Sequence, residues 1–143
     1  RDKLVTGVQT CALPILHGFP NLFIASLTQA GNLISNITYN LTEAGANVAT
    51  VVRHALDVGA TEVEVTQAAE DAWVERIEGS VRAALGNPEC TPGYYNNEGR
   101  PMGRRERLNA AGYPEGPVAY FEYIDRWRRS GEFTGLEFRG PTD

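Results

Sequence analysis

Three stretches of this chain carry side chains whose types and spacing could do chemistry. The first is Gln29-Ala30-Gly31-Asn32, a small-residue polar loop between an apolar run and a long amphipathic run. A loop placed so opens a helix. The helix N-terminus offers unpaired N–H groups and partial positive charge, which suits an anion or an electron-rich ring edge. Spacing alone favours an ordinary loop and helix start with Asn32 or Ser35 as cap. The second stretch is Tyr94-Tyr95-Asn96-Asn97. Aromatic rings beside amides can stack on a nucleotide or a ring substrate and hydrogen-bond to it. Asn and Gly also favour plain surface turns. The third is the basic cluster Arg100, Arg104, Arg105 and Arg107. Arginine binds phosphate in bidentate fashion, but Glu98 and Glu106 stand among these residues, and the cluster is read as a solvated face. His17 and His54 have no carboxylate or cysteine at metal-ligand spacing, so no metal is expected.

Elements that would position these residues are legible nearby. Residues 21–25 read as a short buried strand bounded by Pro20 and the polar loop. Leu33, Ile37, Leu41, Ala44, Val48, Val51, Val52 and Ala55 follow helical spacing, so a long helix with that face buried is expected over 33–58. Gly45 weakens its middle, Gly59 ends it, and Arg53 and His54 suit its last turns. Residues 61–65 alternate as a strand. Thr66 can cap the next helix, whose buried stripe is Trp73, Ile77, Val81, Ala84 and Leu85. Residues 86–116 are rich in Gly, Pro, Asn and Tyr and read as an irregular loop, a length usually functional or disordered. Pro117 opens a third helix with Tyr120, Phe121, Ile124 and Trp127 as its apolar face, and Gly131 closes it. A last strand is expected over 132–138. The fold class is α/β.

The 143 residues suffice for one domain. Hydrophobic residues at 42% and charged residues at 22% are ordinary for a globular protein. A net charge of −5 argues against a general nucleic-acid binder. No apolar run approaches the roughly 20 residues that span a bilayer. Of the two cysteines, Cys11 lies in an aberrant N-terminal stretch, which leaves Cys90 alone and suits a reducing cytoplasm. Residues 1–15 lack periodicity and resemble a translated sequencing adaptor; they are set aside from the fold as non-native. Their apolar run is too short and interrupted for a signal peptide. The chain opens on Arg1, its one methionine is Met102, and it reads as a piece of a longer frame.

The wording of several blocks is more specific than their geometry. Gly18-Phe19-Pro20-Asn21-Leu22-Phe23, Gly59-Ala60-Thr61-Glu62-Val63-Glu64-Val65-Thr66, Glu70-Asp71-Ala72-Trp73-Val74, Cys90-Thr91-Pro92-Gly93-Tyr94-Tyr95-Asn96-Asn97-Glu98-Gly99 and Phe133-Thr134-Gly135-Leu136-Glu137-Phe138 resemble flavin-dependent Baeyer–Villiger monooxygenases. The likeness runs over about residues 16–139 and is nearest the group carrying "GYYNNEG". It departs at Ser26-Leu27, where the family usually has Gly-Pro.

This resemblance implies that residues 16–143 are the C-terminal part of an FAD-binding domain within a two-dinucleotide-domain flavoprotein. The parent would use NADPH, FAD and O2 to insert oxygen beside a ketone carbonyl. It implies cofactor contacts at Asn32, Leu33, Ile34 and Asn36 and, on a loop that folds over NADP, at Tyr94, Tyr95 and Asn96. Gln29, Ala30 and Gly31 would border the ketone. The helix N-terminus would face the flavin pyrimidine edge and favour the reduced anionic flavin. No G-x-G-x-x-G follows a strand and no nucleophile–base pair is recognisable, so the chain alone is expected to be inactive. Two alternatives remain open: a flavin monooxygenase that hydroxylates nitrogen or sulfur, and a small non-catalytic binding module using the Tyr/Asn/Arg loop.

Overall fold

A computed structural model describes residues 15–25, 36–79, 91–101, 103–104, 108 and 111–141. Strands β1 (Ile15–Leu16) and β2 (Phe19–Phe23) form a hairpin. Helix α1 (Ile37–Asp57) follows, then strand β3 (Glu62–Val65), helix α2 (Gln67–Gly79), a 3-10 turn (Tyr94–Gly99), helix α3 (Gly116–Ser130) and strand β4 (Leu136–Arg139). β3 pairs antiparallel with β4, Val63 opposite Phe138 and Val65 opposite Leu136. The α/β class expected from the sequence is the class observed.

The strand at "GFPNLF" sits two residues earlier than expected and is largely exposed. The displacement traces to Asn21. Its φ is +61°, a left-handed conformation that Asn tolerates better than most residues and that interrupts regular pairing. Its side chain then does what a strand backbone would do. Nδ2 donates to the Thr61 carbonyl at 3.0 Å, and Oδ1 accepts from the Val63 N–H at 3.0 Å. One side-chain amide thereby hooks the hairpin onto β3.

α1 opens at Ile37, not Leu33. Asn36 is extended (φ −59°, ψ 125°), and its Oδ1 accepts from the N–H groups of Thr38 at 2.8 Å and Tyr39 at 3.3 Å. Capping chemistry sets this boundary; the apolar pattern merely runs past it. Gly59, at φ +69°, ends the helix as expected.

The buried face of α1 only partly coincides with the expected apolar one: Val51 is buried and Ala44, Val48 and Ala55 are half-buried. Asn40, Asn47 and Val51 face inward, while Ile37, Leu41, Val52 and Leu56 are 40–69% exposed. The physical reason lies in α3, which meets α1 through an ion pair between Glu43 and Arg128 and an edge-to-face contact between Tyr39 and Phe121. Those partners turn the polar side of α1 inward.

The local stop and start signals elsewhere hold. Thr66 Oγ1 accepts from the Ala69 N–H at 3.2 Å, Pro117 stands in the first turn of α3, and Gly131 closes α3 at φ +66°. β4 begins later than expected, at Leu136. Phe133 (φ +48°) and Gly135 (φ +93°) make a tight turn first, with the Leu136 N–H on the Phe133 carbonyl at 3.0 Å.

Among the described residues two apolar clusters result. One gathers Val51, Val63, Val65 and Phe133 with Trp127 and Phe138 against it. The other gathers Trp73, Ile77, Leu108, Ala111, Tyr113, Tyr120 and Ile124. Leu108, Ala111 and Tyr113 come from the stretch read as a loop, so part of that stretch is core. Val81, Ala84 and Leu85 lie outside the described residues.

Candidate functional site

The opening turn of α1 is the described part of the first candidate. Asn36 takes the N–H groups of Thr38 and Tyr39, as given above, and Asn40 closes the first backbone bond back to the Asn36 carbonyl at 3.1 Å. The Asn40 Nδ2 donates to the same carbonyl at 3.0 Å. The cap is a neutral amide and the first turn holds no acidic side chain. The partial positive charge of the helix end is therefore not cancelled by a local carboxylate. An electron-rich ring edge fits such an end. Gln29, Ala30, Gly31, Asn32, Leu33 and Ile34, expected to complete the site, lie outside the described residues.

The second candidate adopts the 3-10 turn, with Asn97, Glu98 and Gly99 all left-handed (φ +54°, +56° and +73°). Asn97 Nδ2 donates to the Arg100 and Pro101 carbonyls at 3.4 and 3.2 Å, so this amide serves the turn itself. The backbone of Tyr94, Tyr95 and Asn96 lies in the turn, and their side chains lie outside the described residues. Of the basic cluster, Arg104 pairs with Glu78 on α2, where Glu98 and Glu106 had been expected to balance it. That pair holds the guanidinium above its ordinary range. Arg105 and Arg107 lie outside the described residues.

Two polar clusters were not foreseen. At the hairpin tip, buried Glu64 accepts from the Gly18 N–H and pairs with Arg139. His17 lies with Nδ1 3.0 Å from the Val65 carbonyl and 3.5 Å from Glu64, while its N–H donates to Glu70 at 2.9 Å. These residues come from four separate elements and no local spacing links them. Between α1 and α3, Glu43 and Arg128 meet at 2.6 Å beside Tyr120. Burial pushes the Tyr120 hydroxyl well above its ordinary range, and neighbouring Glu43 adds to this. Asn47 is wholly buried, with no hydrogen-bond partner for either amide atom.

Arg76 lies 4.6 Å over the Tyr113 ring and 5.6 Å from that of Tyr123, with Glu115 at 3.0 Å. Trp73 stacks on Tyr113, and Trp127 donates to the Thr134 carbonyl at 3.2 Å, so both tryptophans pack as expected. Among the described residues no three His, Cys, Asp or Glu side chains gather as a metal site, and no helix is long and apolar enough to cross a membrane.

Set beside known proteins, the chain is 40% identical over 142 residues to pentalenolactone D synthase of Streptomyces arenae, covering 96% of this chain and 23% of the synthase. A Baeyer–Villiger monooxygenase of Streptomyces coelicolor is 47% identical over 60 residues, 41% of this chain and 9% of that protein. Among solved structures, a polycyclic ketone monooxygenase from the fungus Thermothelomyces thermophila superposes with a TM-score of 0.80 at 29% identity, over 97% of this chain and 22% of its own. No protein-family model matches the chain. The chain thus spans under a quarter of the length of the relatives it matches nearly end to end.

Proposed function

We propose, starting from the chain's homology to a segment of the flavin-dependent Baeyer–Villiger monooxygenases, that it forms one wall of the flavin and ketone site in such an enzyme. The whole protein would use NADPH, FAD and O2 to place an oxygen atom beside a ketone carbonyl, giving an ester or lactone. FAD, reduced by NADPH, supplies the oxygen-transfer chemistry when bound; this chain supplies walls and orientation. In this reading Asn32, Leu33, Ile34 and Asn36 meet the flavin, Gln29, Ala30 and Gly31 border the ketone, and Tyr94, Tyr95 and Asn96 approach the nicotinamide dinucleotide. A cytoplasmic location belongs to the same reading and draws support from the single cysteine beyond residue 15.

The observation that carries the reading is the neutral Asn36 cap on a 21-residue helix with no acid in its first turn. Such an end stabilises negative charge developing on a reduced flavin. The exposed apolar stripe of α1 and the exposed Phe19 and Leu22 give further support, since the remaining length of the relatives provides chain to cover them.

The test is a chimera in which residues 16–139 replace the matching segment of a full-length pentalenolactone D synthase. It should retain FAD. Asn36→Asp should keep the helix capped while slowing flavin reduction about fivefold, the equivalent of about 1 kcal/mol. An FAD-bound chimera whose reduction rate ignores Asn36→Asp would sink the reading.

A further inference from the structure

The two halves of α1 are held by different means. Its C-terminal half is embedded: Val51 is fully buried with Val63, Val65 and Phe133, and His54 stacks on Phe133 with centroids 4.2 Å apart. Its N-terminal half contributes no side chain to that cluster among the described residues. Ile37 and Leu41 point outward, and Asn40 and Asn47 take the inner face. Among the described residues, α3 reaches this half through the Glu43–Arg128 pair at 2.6 Å and the Tyr39–Phe121 ring contact at 4.7 Å.

The ion pair differs from ordinary surface pairs in several respects. It joins residues 85 apart in sequence, and its side chains are only 17% and 16% exposed. Asp125, one turn earlier on α3, lies 3.7 Å from the same guanidinium nitrogen and helps hold it from its own helix. Buried Tyr120 lies close enough to feel both charges of the pair. A guanidinium fork is directional, whereas apolar packing tolerates sliding. Glu43 stands two turns, about 10 Å, beyond Asn36 along the helix axis.

We propose that Arg128 is a positioning residue for the opening turn of α1: through Glu43 it sets the rotation and axial height of the half-helix that carries Asn36. The tie itself stands on contacts within this chain. Only its consequence for flavin rests on the functional reading above. Arg128 need not approach the cofactor, and lysine should not replace it fully, because an ammonium lacks the planar fork.

The test uses hydrogen–deuterium exchange in the 143-residue chain. Arg128→Met should raise exchange at the Thr38 and Tyr39 amides about tenfold while amides 51–55 stay within about twofold. Arg128→Lys should fall between. Exchanging the two charges, Glu43→Arg with Arg128→Glu, should recover most of the protection. Should Arg128→Met fail to fold, Glu43→Gln keeps the shape of the pair and should give the same contrast at smaller size. Uniform loss of protection along α1, or none, overturns the proposal. A second arm reads flavin reduction in the Arg128→Met chimera with FAD retained. Slower reduction supports both steps. Raised exchange at Thr38 and Tyr39 with unchanged reduction leaves the tie standing and counts against the flavin reading.

Discussion

Among the described residues, Asn47 stands out for an amide that is buried on both polar atoms. Its side chain is fully buried, and neither amide atom finds a partner. A buried amide left unpaired costs about 1–3 kcal/mol, and removing it relieves that cost. Asn47→Leu, branched alike at Cγ though bulkier, and a better helix former, should therefore stabilise the chain by about 1 kcal/mol if the site admits it. A higher urea midpoint at unchanged slope would show it; a lower midpoint would mean that the amide has a partner after all. Tyr120 makes a different demand. Its hydroxyl titrates well above the ordinary tyrosine value, chiefly because the ring is buried. The unfolded chain thus gives up this proton near pH 10 while the folded chain keeps it. Stability from this group is complete below pH 10 and falls as pH rises beyond. Urea midpoints measured from pH 8 to 11 should decline less steeply in Tyr120→Phe than in the parent chain. Parallel declines would place the alkaline loss elsewhere; Tyr113, also raised by burial, is the next candidate.

At the scale of elements, what could be read in the sequence was what depends on near neighbours. Thr66, Pro117, Gly131 and Gly59 mark their boundaries through capping, a fixed φ or a left-handed turn, and each acts within one turn of itself. The helix-bearing segments followed from periodicity in the same way. The start of α1 escaped because apolar spacing continues through Leu33 while the cap belongs to Asn36. Its inner face escaped for a deeper reason. Periodicity shows that a helix has an apolar stripe but not which neighbour the stripe will meet. Here Arg128 and Phe121 of α3, some eighty residues on, draw the polar side inward. Of the candidate site, Asn36 was singled out as a cofactor contact through family resemblance, yet its capping role needed coordinates. Glu64, Arg139 and His17 converge from separate elements, so no window of sequence contains them together.

Over the whole molecule, the stripe Ile37, Leu41, Val52 and Leu56 runs roughly 30 Å along α1, at about 1.5 Å per residue. Exposed Phe19 and Leu22 of the hairpin add apolar surface elsewhere. Apolar surface of this kind drives association when nothing covers it. The chain should self-associate with rising concentration. Leu41→Glu combined with Val52→Glu should suppress this in sedimentation velocity while shifting stability by no more than about 0.5 kcal/mol, since both positions are exposed. Association that persists unchanged in the double variant would show that the contact lies on another face.

The pairing of β3 with β4 also bears on how the chain comes into being. β3 ends at Val65 and its partner begins at Leu136, so about seventy residues must be closed into a loop before the ladder can form. At ribosomal rates of roughly 5–20 residues per second, β3 waits about 4–14 seconds for its partner strand to be made. During that interval the edge that will meet β4 is open to any other nascent strand. Slower translation of residues 66–139 would lengthen that interval, a consequence of the order in which the two strands are made.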